Sequence, residues 1–154
     1  MLMPDELQAI KNFRQASAEV ATSGQPRSEH FAAMASAGYV AVINLALHDD
    51  PRYALADEAS DVRGANMDYI HIPVQFGNPT EGDLKSYMDA MDAYRGRKVW
   101  VHCAANMRVT AFLGLYWVLR QGWEQARAFE VMRSVWEPND VWRAFIAGAL
   151  ARKP

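Results

Sequence analysis

A single cysteine, Cys103, is all the thiol chemistry that the 154 residues hold. No disulfide can close within the chain, and no cluster of thiolates can bind zinc. The four histidines, His30, His48, His71 and His102, show no metal-ligand spacing. Charge of either sign is not in excess: the formal net charge is −2, and charged residues make up 22% of the chain. That balance excludes a broadly basic nucleic-acid surface or a polybasic membrane face, so any anion site must be local. The longest apolar run, 111–119, is too short to span a bilayer and contains Gly114. The opening Met1-Leu2-Met3-Pro4-Asp5-Glu6 lacks the basic-then-apolar order of a secretory leader. With the lone cysteine, this predicts a reducing, cytoplasmic setting without nucleic-acid or membrane partners. There is no internal repeat, low-complexity tract or linker, and the length fits one domain over 1–154.

What is present is an alternation of short β-type runs with helical ones. Pro4 to Gln15 places Leu7, Ile10 and Phe13 on one helical face. Glu19 to Thr22 reads as a short strand, and Ser23-Gly24-Gln25-Pro26 is turn chemistry. Ser28 is placed to cap a helix that ends at Gly38. Tyr39 to Leu45 is mostly apolar and rich in branched residues, as a strand covered on both faces must be. Pro51 to Arg63 is expected to be helical, with Asp49 and Asp50 capping it, and Asp68 to Val74 to be the next strand. Thr80-Glu81-Gly82-Asp83 has the form of a capping box and opens a helix to about Tyr94. Val99 to His102 is a strand. Helices follow at about Arg108 to Gln121, Glu124 to Val135 and Asn139 to Ala151. Such alternation predicts an α/β sandwich whose largely parallel sheet carries ligands at the strands' carboxyl ends.

Cys103 falls just past one of those ends. Val101-His102-Cys103-Ala104-Ala105-Asn106-Met107-Arg108-Val109-Thr110-Ala111 reads as strand, short loop and helix start. Amides at a helix N-terminus lack intrahelical acceptors, and together with the helix dipole they bind oxyanions. A cysteine at the loop's start sits beneath such an anion, and an arginine at its end clamps two oxygens with the guanidinium fork. The same field activates the thiol. A free cysteine is only about 3% thiolate at neutral pH, whereas a helix N-terminus with a cation lowers its pKa to roughly 3.5–7.5. Against this stands the commoner role of a lone cysteine as a small buried hydrophobe.

The block from His102 to Arg108 resembles the signature loop of protein tyrosine and dual-specificity phosphatases. The resemblance is closer to a bacterial branch that includes the phosphatase-like domain of beta-lactamase hydrolase-like proteins. Ser23-Gly24-Gln25-Pro26, Val42-Ile43-Asn44-Leu45 and Tyr69-Ile70-His71-Ile72-Pro73-Val74 are similar to further landmarks of that branch. The likeness spans roughly Thr22 to Leu119. It implies a four- to five-stranded, mainly parallel sheet flanked by helices, with Cys103 as nucleophile and Arg108 as phosphate binder. It also implies a phosphate-binding loop of Ala104, Ala105, Asn106, Met107, Arg108 and Val109, with His102 as a hydrogen-bonding buttress. No cofactor or metal is implied; the partner is a phosphorylated substrate or another oxyanion.

The departures from the pattern are informative. Four residues separate Cys103 from Arg108, one fewer than in standard tyrosine phosphatases; the spacing also resembles that of rhodanese sulfurtransferases. The loop has no glycine, and Asn106 is the residue best able to replace one at positive φ. Val109 stands where a hydroxyl residue usually helps the thiolate leave. Thr110, one step later, either serves instead or bonds within the first helical turn. The stretch Gln75-Phe76-Gly77-Asn78, where the phosphatases carry their general acid, has no carboxylate. Glu81 and Asp83 follow as candidates for that acid, in positions that helix capping also explains, and Asp49 and Asp50 are further candidates that capping of the next helix explains as well. Alternation along the strand turns His102 away from Cys103. His71 reads as a satisfied core histidine, and His30 and His48 as surface residues. Trp117, Trp123, Trp136 and Trp142 are expected in the core, or on a partner surface if exposed. Three functions fit: phosphomonoester hydrolysis through a cysteinyl-phosphate, sulfur transfer through a Cys103 persulfide, and oxyanion binding without turnover.

Overall fold

Runs of branched and apolar residues make the centre of the molecule. The computed structural model describes residues 3–152. Its strands are Arg14–Gln15 (β1), Val20–Ser23 (β2), Ala41–Asn44 (β3), Asp68–His71 (β4) and Val99–His102 (β5). They form one sheet of order β1-β2-β5-β3-β4, parallel except for the β1 edge. Every residue of β2, β3 and β5 is buried, as strands covered on both faces must be. Alternation along β5 sorts the two cores. Val99 and Val101 face the helices Glu81–Ala93 (α4), Met107–Gln121 (α5) and Asp140–Ala151 (α8). Trp100 faces the opposite cluster, with Leu7 of Asp5–Gln8 (α1), Phe31 and Met34 of His30–Ser36 (α2) and Val62 of Glu58–Gly64 (α3). Helices on both faces of a parallel sheet define the expected α/β sandwich. Among the described residues no helix is long and apolar enough to cross a membrane.

The elements whose limits are written in local chemistry form where the sequence puts them. Thr80 and Asp83 make a full capping box, the Thr80 hydroxyl accepting from Asp83 N and the Asp83 carboxylate from Thr80 N. Gly122 closes α5 in the left-handed region at φ 72°, and Asn139 caps α8 by accepting from Trp142 N. Four expected elements are corrected. The helix over Pro4–Gln15 stops at Gln8, because Asn12 turns the chain at φ 52° into β1; Phe13 then packs on Trp100, with ring centroids 5.6 Å apart. Ser28 does not cap α2: its hydroxyl donates to Asp61 in α3, and α2 starts at His30 without a side-chain cap. The helix over Pro51–Arg63 is only α3, capped by Asp57, because Asp50 closes a single turn by accepting from Tyr53 N and Ala54 N. The helix over Glu124–Val135 is split at Phe129 into Gln125–Ala128 (α6) and Glu130–Val135 (α7). There the Phe129 ring lies against Gly114, where a Cβ would stand 2.3 Å from it.

The tryptophans pack inward. Trp142 is fully buried among Phe112 and Phe145, Trp117 is buried, and the half-buried Trp123 stacks on Trp117 at 4.2 Å. Trp136 is half-buried against Phe76 and Trp142. His30 is a correction of the opposite kind: it is buried, because its Nδ1 accepts from Arg27 N in the turn that opens α2. His48 is exposed, as expected, but its ring stacks on His71 at 3.5 Å and its Nε2 meets the Tyr69 hydroxyl at 2.8 Å. The half-buried His71 is satisfied by the Ala46 carbonyl. Met1 and Leu2, part of the segment read for a leader, lie outside the described residues.

Candidate active site

The loop between β5 and α5 owes its shape to its carbonyls. Gln25 N donates to Ala104 O at 3.1 Å and Asn12 Nδ2 donates to Ala105 O at 3.0 Å. The peptide unit is planar and trans, so a carbonyl held outward aims the following amide the other way. Among the described residues, the amides of Ala104, Ala105, Met107, Arg108 and Val109 donate to no protein acceptor. The last three open α5, fifteen residues long, and lie at the positive end of its dipole. Unused donors around a helix start form an oxyanion cradle.

Two residues let so short a loop close. Asn106 is left-handed at φ 65°, the role expected of it in the absence of glycine. Its buried side chain also ties the loop down, Nδ2 donating to Asn12 O at 2.8 Å and to Thr22 Oγ1 at 3.0 Å. Gly24, at the end of β2, lies so close that a Cβ would stand 2.5 Å from Ala104 O. Only glycine admits that approach without moving the loop.

Cys103 and Arg108 meet at a cavity of about 570 Å³, with Ala104, Ala105 and Met107 on the same wall. The Cys103 side chain is almost fully buried. Arg108 is also buried, donating from Nη1 to Val74 O at 2.7 Å. Asn106 and Val109, expected in the loop, support it from behind: both are fully buried and neither lines the cavity. His102 lies on the Trp100 face of β5, away from the cavity, as alternation requires. Its Nε2 is 2.6 Å from Glu58 Oε2, and its Nδ1 is 3.3 Å from the Cys103 carbonyl. Glu58 is buried and also accepts from Gln25 Nε2 at 2.7 Å. Burial pushes the Glu58 carboxyl up, but the attraction of His102 and the bonds from His102 and Gln25 outweigh it. The net position is below the ordinary carboxylate value.

Of the two roles left open for Thr110, the hydroxyl takes the local one. It donates to Asn106 O at 2.8 Å inside the first turn, accepts from Trp136 Nε1, and does not line the cavity. Glu81 and Asp83 are likewise spent elsewhere, Glu81 on Arg152 and Asp83 on the capping box. The carboxylate that does line the cavity is Asp50. It does not cap a long helix as expected. Arg52 grips it from both side chain and amide and holds it down to about 2. Leu47, Arg52 and Tyr53 come with it on the loop after β3, Gln75 and Phe76 on the loop after β4, and Lys11 from the β1–β2 side. Sequence reasoning did not find Lys11, Arg52 or Glu58. Each stands far from Cys103 in the chain, and only the fold joins them to it; the Asp50-x-Arg52 spacing was the one local signal.

A fold and loop of this kind have known counterparts. Residues 12–122 match the family model described as beta-lactamase hydrolase-like protein, phosphatase-like domain, and the chain belongs to that family. The beta-lactamase hydrolase-like proteins of two Xylella fastidiosa strains are 32% identical over 98 residues, 62% of this chain. The match takes in only 22% of those relatives' length. The crystal structure of a candidate phosphatase of the DUF442 group from Shewanella putrefaciens CN-32 superposes with a TM-score of 0.85 at 33% identity, covering 97% of both chains. TpbA of P. aeruginosa, solved in complex with pTyr, has a TM-score of 0.71 at 18% identity, covering 96% of this chain and 88% of its own. At that identity the likeness is one of fold.

Proposed function

We propose that the protein is a phosphomonoester hydrolase that works through a cysteinyl-phosphate on Cys103. The observation that carries this reading is the set of unused amides of Ala104, Ala105, Met107 and Arg108, placed with buried Cys103 and Arg108 at one cavity. The phosphate dianion rests in the amides, and the Arg108 fork steadies its oxygens. The Cys103 thiolate attacks phosphorus and forms the S–P bond while the ester P–O bond breaks. The leaving oxygen takes that electron pair and a proton from water. A second water then attacks phosphorus; an O–P bond forms as the S–P bond breaks, the thiolate is restored, phosphate leaves, and the proton this water releases neutralises the hydroxide left by the first. His102, bridging Glu58 and the Cys103 carbonyl, holds the loop in register.

Hydrolysis of para-nitrophenyl phosphate across pH 5 to 8 tests the reading. Wild type should release nitrophenol, and Cys103→Ser should not, while still binding inorganic phosphate by calorimetry. Turnover that survives in Cys103→Ser would remove the thiol from the chemistry. A second reading, oxyanion binding without turnover, is favoured by one observation: the cavity carboxylate, Asp50, is held ionised by Arg52 and has no proton to give. It expects phosphate binding with no Cys103-dependent release from any ester. Sulfur transfer through a Cys103 persulfide is tested with the same variant: on the phosphatase reading, thiosulfate-to-cyanide transfer should not exceed the Cys103→Ser control.

A further inference from the structure

The charged side chains around the cavity are Lys11, Asp50, Arg52 and Arg108. Arg108 belongs to the anion cradle and is anchored on Val74 O. Arg52 is neutralised by the fork it makes with Asp50. Lys11 is different. Among the described residues its ammonium group makes neither a hydrogen bond nor an ion pair, and it stands exposed. Its backbone is nevertheless fixed to the reactive loop. Lys11 O accepts from Gly24 N at 2.7 Å, and the next residue, Asn12, holds Ala105 O. Glu6 and Glu29 line the adjoining cleft that Lys11 also borders, but Glu29 is paired with Arg27 and Glu6 is not within ion-pair distance of Lys11. A phosphate group in the cradle is already met by the amides and Arg108, so the charge of Lys11 is left over for the rest of the substrate.

We infer that the substrate is a phosphomonoester carrying a second anionic group, which Lys11 receives at the cavity rim. The inference rests on the reading of the Cys103 loop as a phosphomonoester site. A solvent-exposed charge contact of this kind is modest and salt-sensitive, so it selects among esters and leaves the chemical step alone.

The test compares phenyl phosphate with the ortho, meta and para isomers of carboxyphenyl phosphate, on wild type, Lys11→Ala, Lys11→Arg and the remote control Lys85→Ala. For at least one isomer, kcat/KM relative to phenyl phosphate should fall about three- to fivefold in Lys11→Ala, recover in Lys11→Arg, and shrink in wild type at high salt. Lys85→Ala should match wild type, and a thermal melt should show that Lys11→Ala is folded. If no isomer's ratio changes in Lys11→Ala, the inference fails while the phosphatase reading stands. If wild type hydrolyses none of the esters, the phosphatase reading fails, and calorimetric binding of the same four esters to Cys103→Ser, with and without Lys11→Ala, decides the inference. Selective weakening of a carboxylated ester supports Lys11 as the receiver, and equal binding overturns it.

Discussion

Asn12 and Asn106 hold each other's turns. Both are left-handed, at φ 52° and 65°, and Asn106 Nδ2 donates to Asn12 O while Asn12 Nδ2 donates to the carbonyl just before Asn106. The turn that ends the N-terminal segment and the turn that shapes the loop between β5 and α5 are therefore one unit. Asn106→Gly keeps the conformation and loses the side-chain bonds; Asn106→Ala loses both. Denaturant melts should rank the variants wild type, glycine, alanine. The alanine variant should cost about 2 kcal/mol or more, since a buried hydrogen bond and left-handed strain both contribute. Equal stability of the two variants would show that the side-chain bonds carry everything and the conformation nothing.

Gly24 sets the loop's height above β2. In Gly24→Ala the new methyl must push Ala104 O from 2.5 Å. Overpacking of this kind costs about 1–3 kcal/mol, which the fold should survive. The loop amides should not keep their aim, and a displacement near 1 Å reduces turnover on the order of a hundredfold. The variant should melt cooperatively, yet bind inorganic phosphate poorly and hydrolyse para-nitrophenyl phosphate slowly. Full activity would mean that the loop's position does not depend on this contact.

Glu58 gives the protein an acid-sensitive joint. Its carboxyl sits below its ordinary value of 4.5 in the folded state, so below that pH the unfolded chain binds the extra proton first. Stability from this group is complete above about pH 4.5 and is lost as pH falls through the folded value. Glu58→Gln should cost about 3 kcal/mol at pH 7, because it breaks a buried pair. It should also flatten the loss of stability below pH 4.5. Parallel acid limbs for wild type and variant, read from melts across pH 3 to 7, would place the acid sensitivity elsewhere.

Tyr87 makes the opposite kind of prediction. It is fully buried against Phe112 and Tyr116, and its hydroxyl has no hydrogen-bond partner among the described residues. An unpartnered buried polar group costs about 1–3 kcal/mol. Tyr87→Phe should therefore leave the melting temperature unchanged or raise it by a few degrees. A clear loss of stability would reveal a bond that the hydroxyl makes.

What could be read from the sequence and what could not divides along range. Strand β5, the Thr80–Asp83 box, the Gly122 stop and the loop with Cys103 and Arg108 are each specified by neighbours in the chain. Asn106 as a substitute for glycine was legible for the same reason, since the loop offered no other residue suited to positive φ. The reading failed where contacts from distant segments overrule periodicity. Leu7, Ile10 and Phe13 do reach the core, as their spacing suggested, but through a turn, because Asn12 bonds to a loop 93 residues away. Ser28 has the chemistry of a cap and bonds to Asp61 in place of its own helix. Glu58 meets His102 only because the sheet brings α3 beside β5, and no local pattern marks a buried carboxylate that is paired across 44 residues.

The ionised state of Asp50 bears on how the proposed hydrolysis depends on the leaving group. Asp50 is the carboxylate at the cavity wall, and Arg52, with Arg108 adding to the attraction, holds it near 2. Across pH 5 to 8 it is ionised and cannot protonate a departing oxygen. A positioned general acid is worth about 10²–10⁴ in rate, and its lack falls on esters with basic leaving groups. Rates should drop steeply from para-nitrophenyl phosphate through phenyl phosphate to an alkyl phosphate. The pH profile should carry no descending limb from a carboxylic acid. Asp50→Asn should leave that leaving-group dependence unchanged, although freeing Arg52 from its fork alters KM. If Asp50→Asn instead slowed phenyl phosphate far more than para-nitrophenyl phosphate, Asp50 would be delivering a proton after all. The Arg52 fork would then have to open when substrate binds.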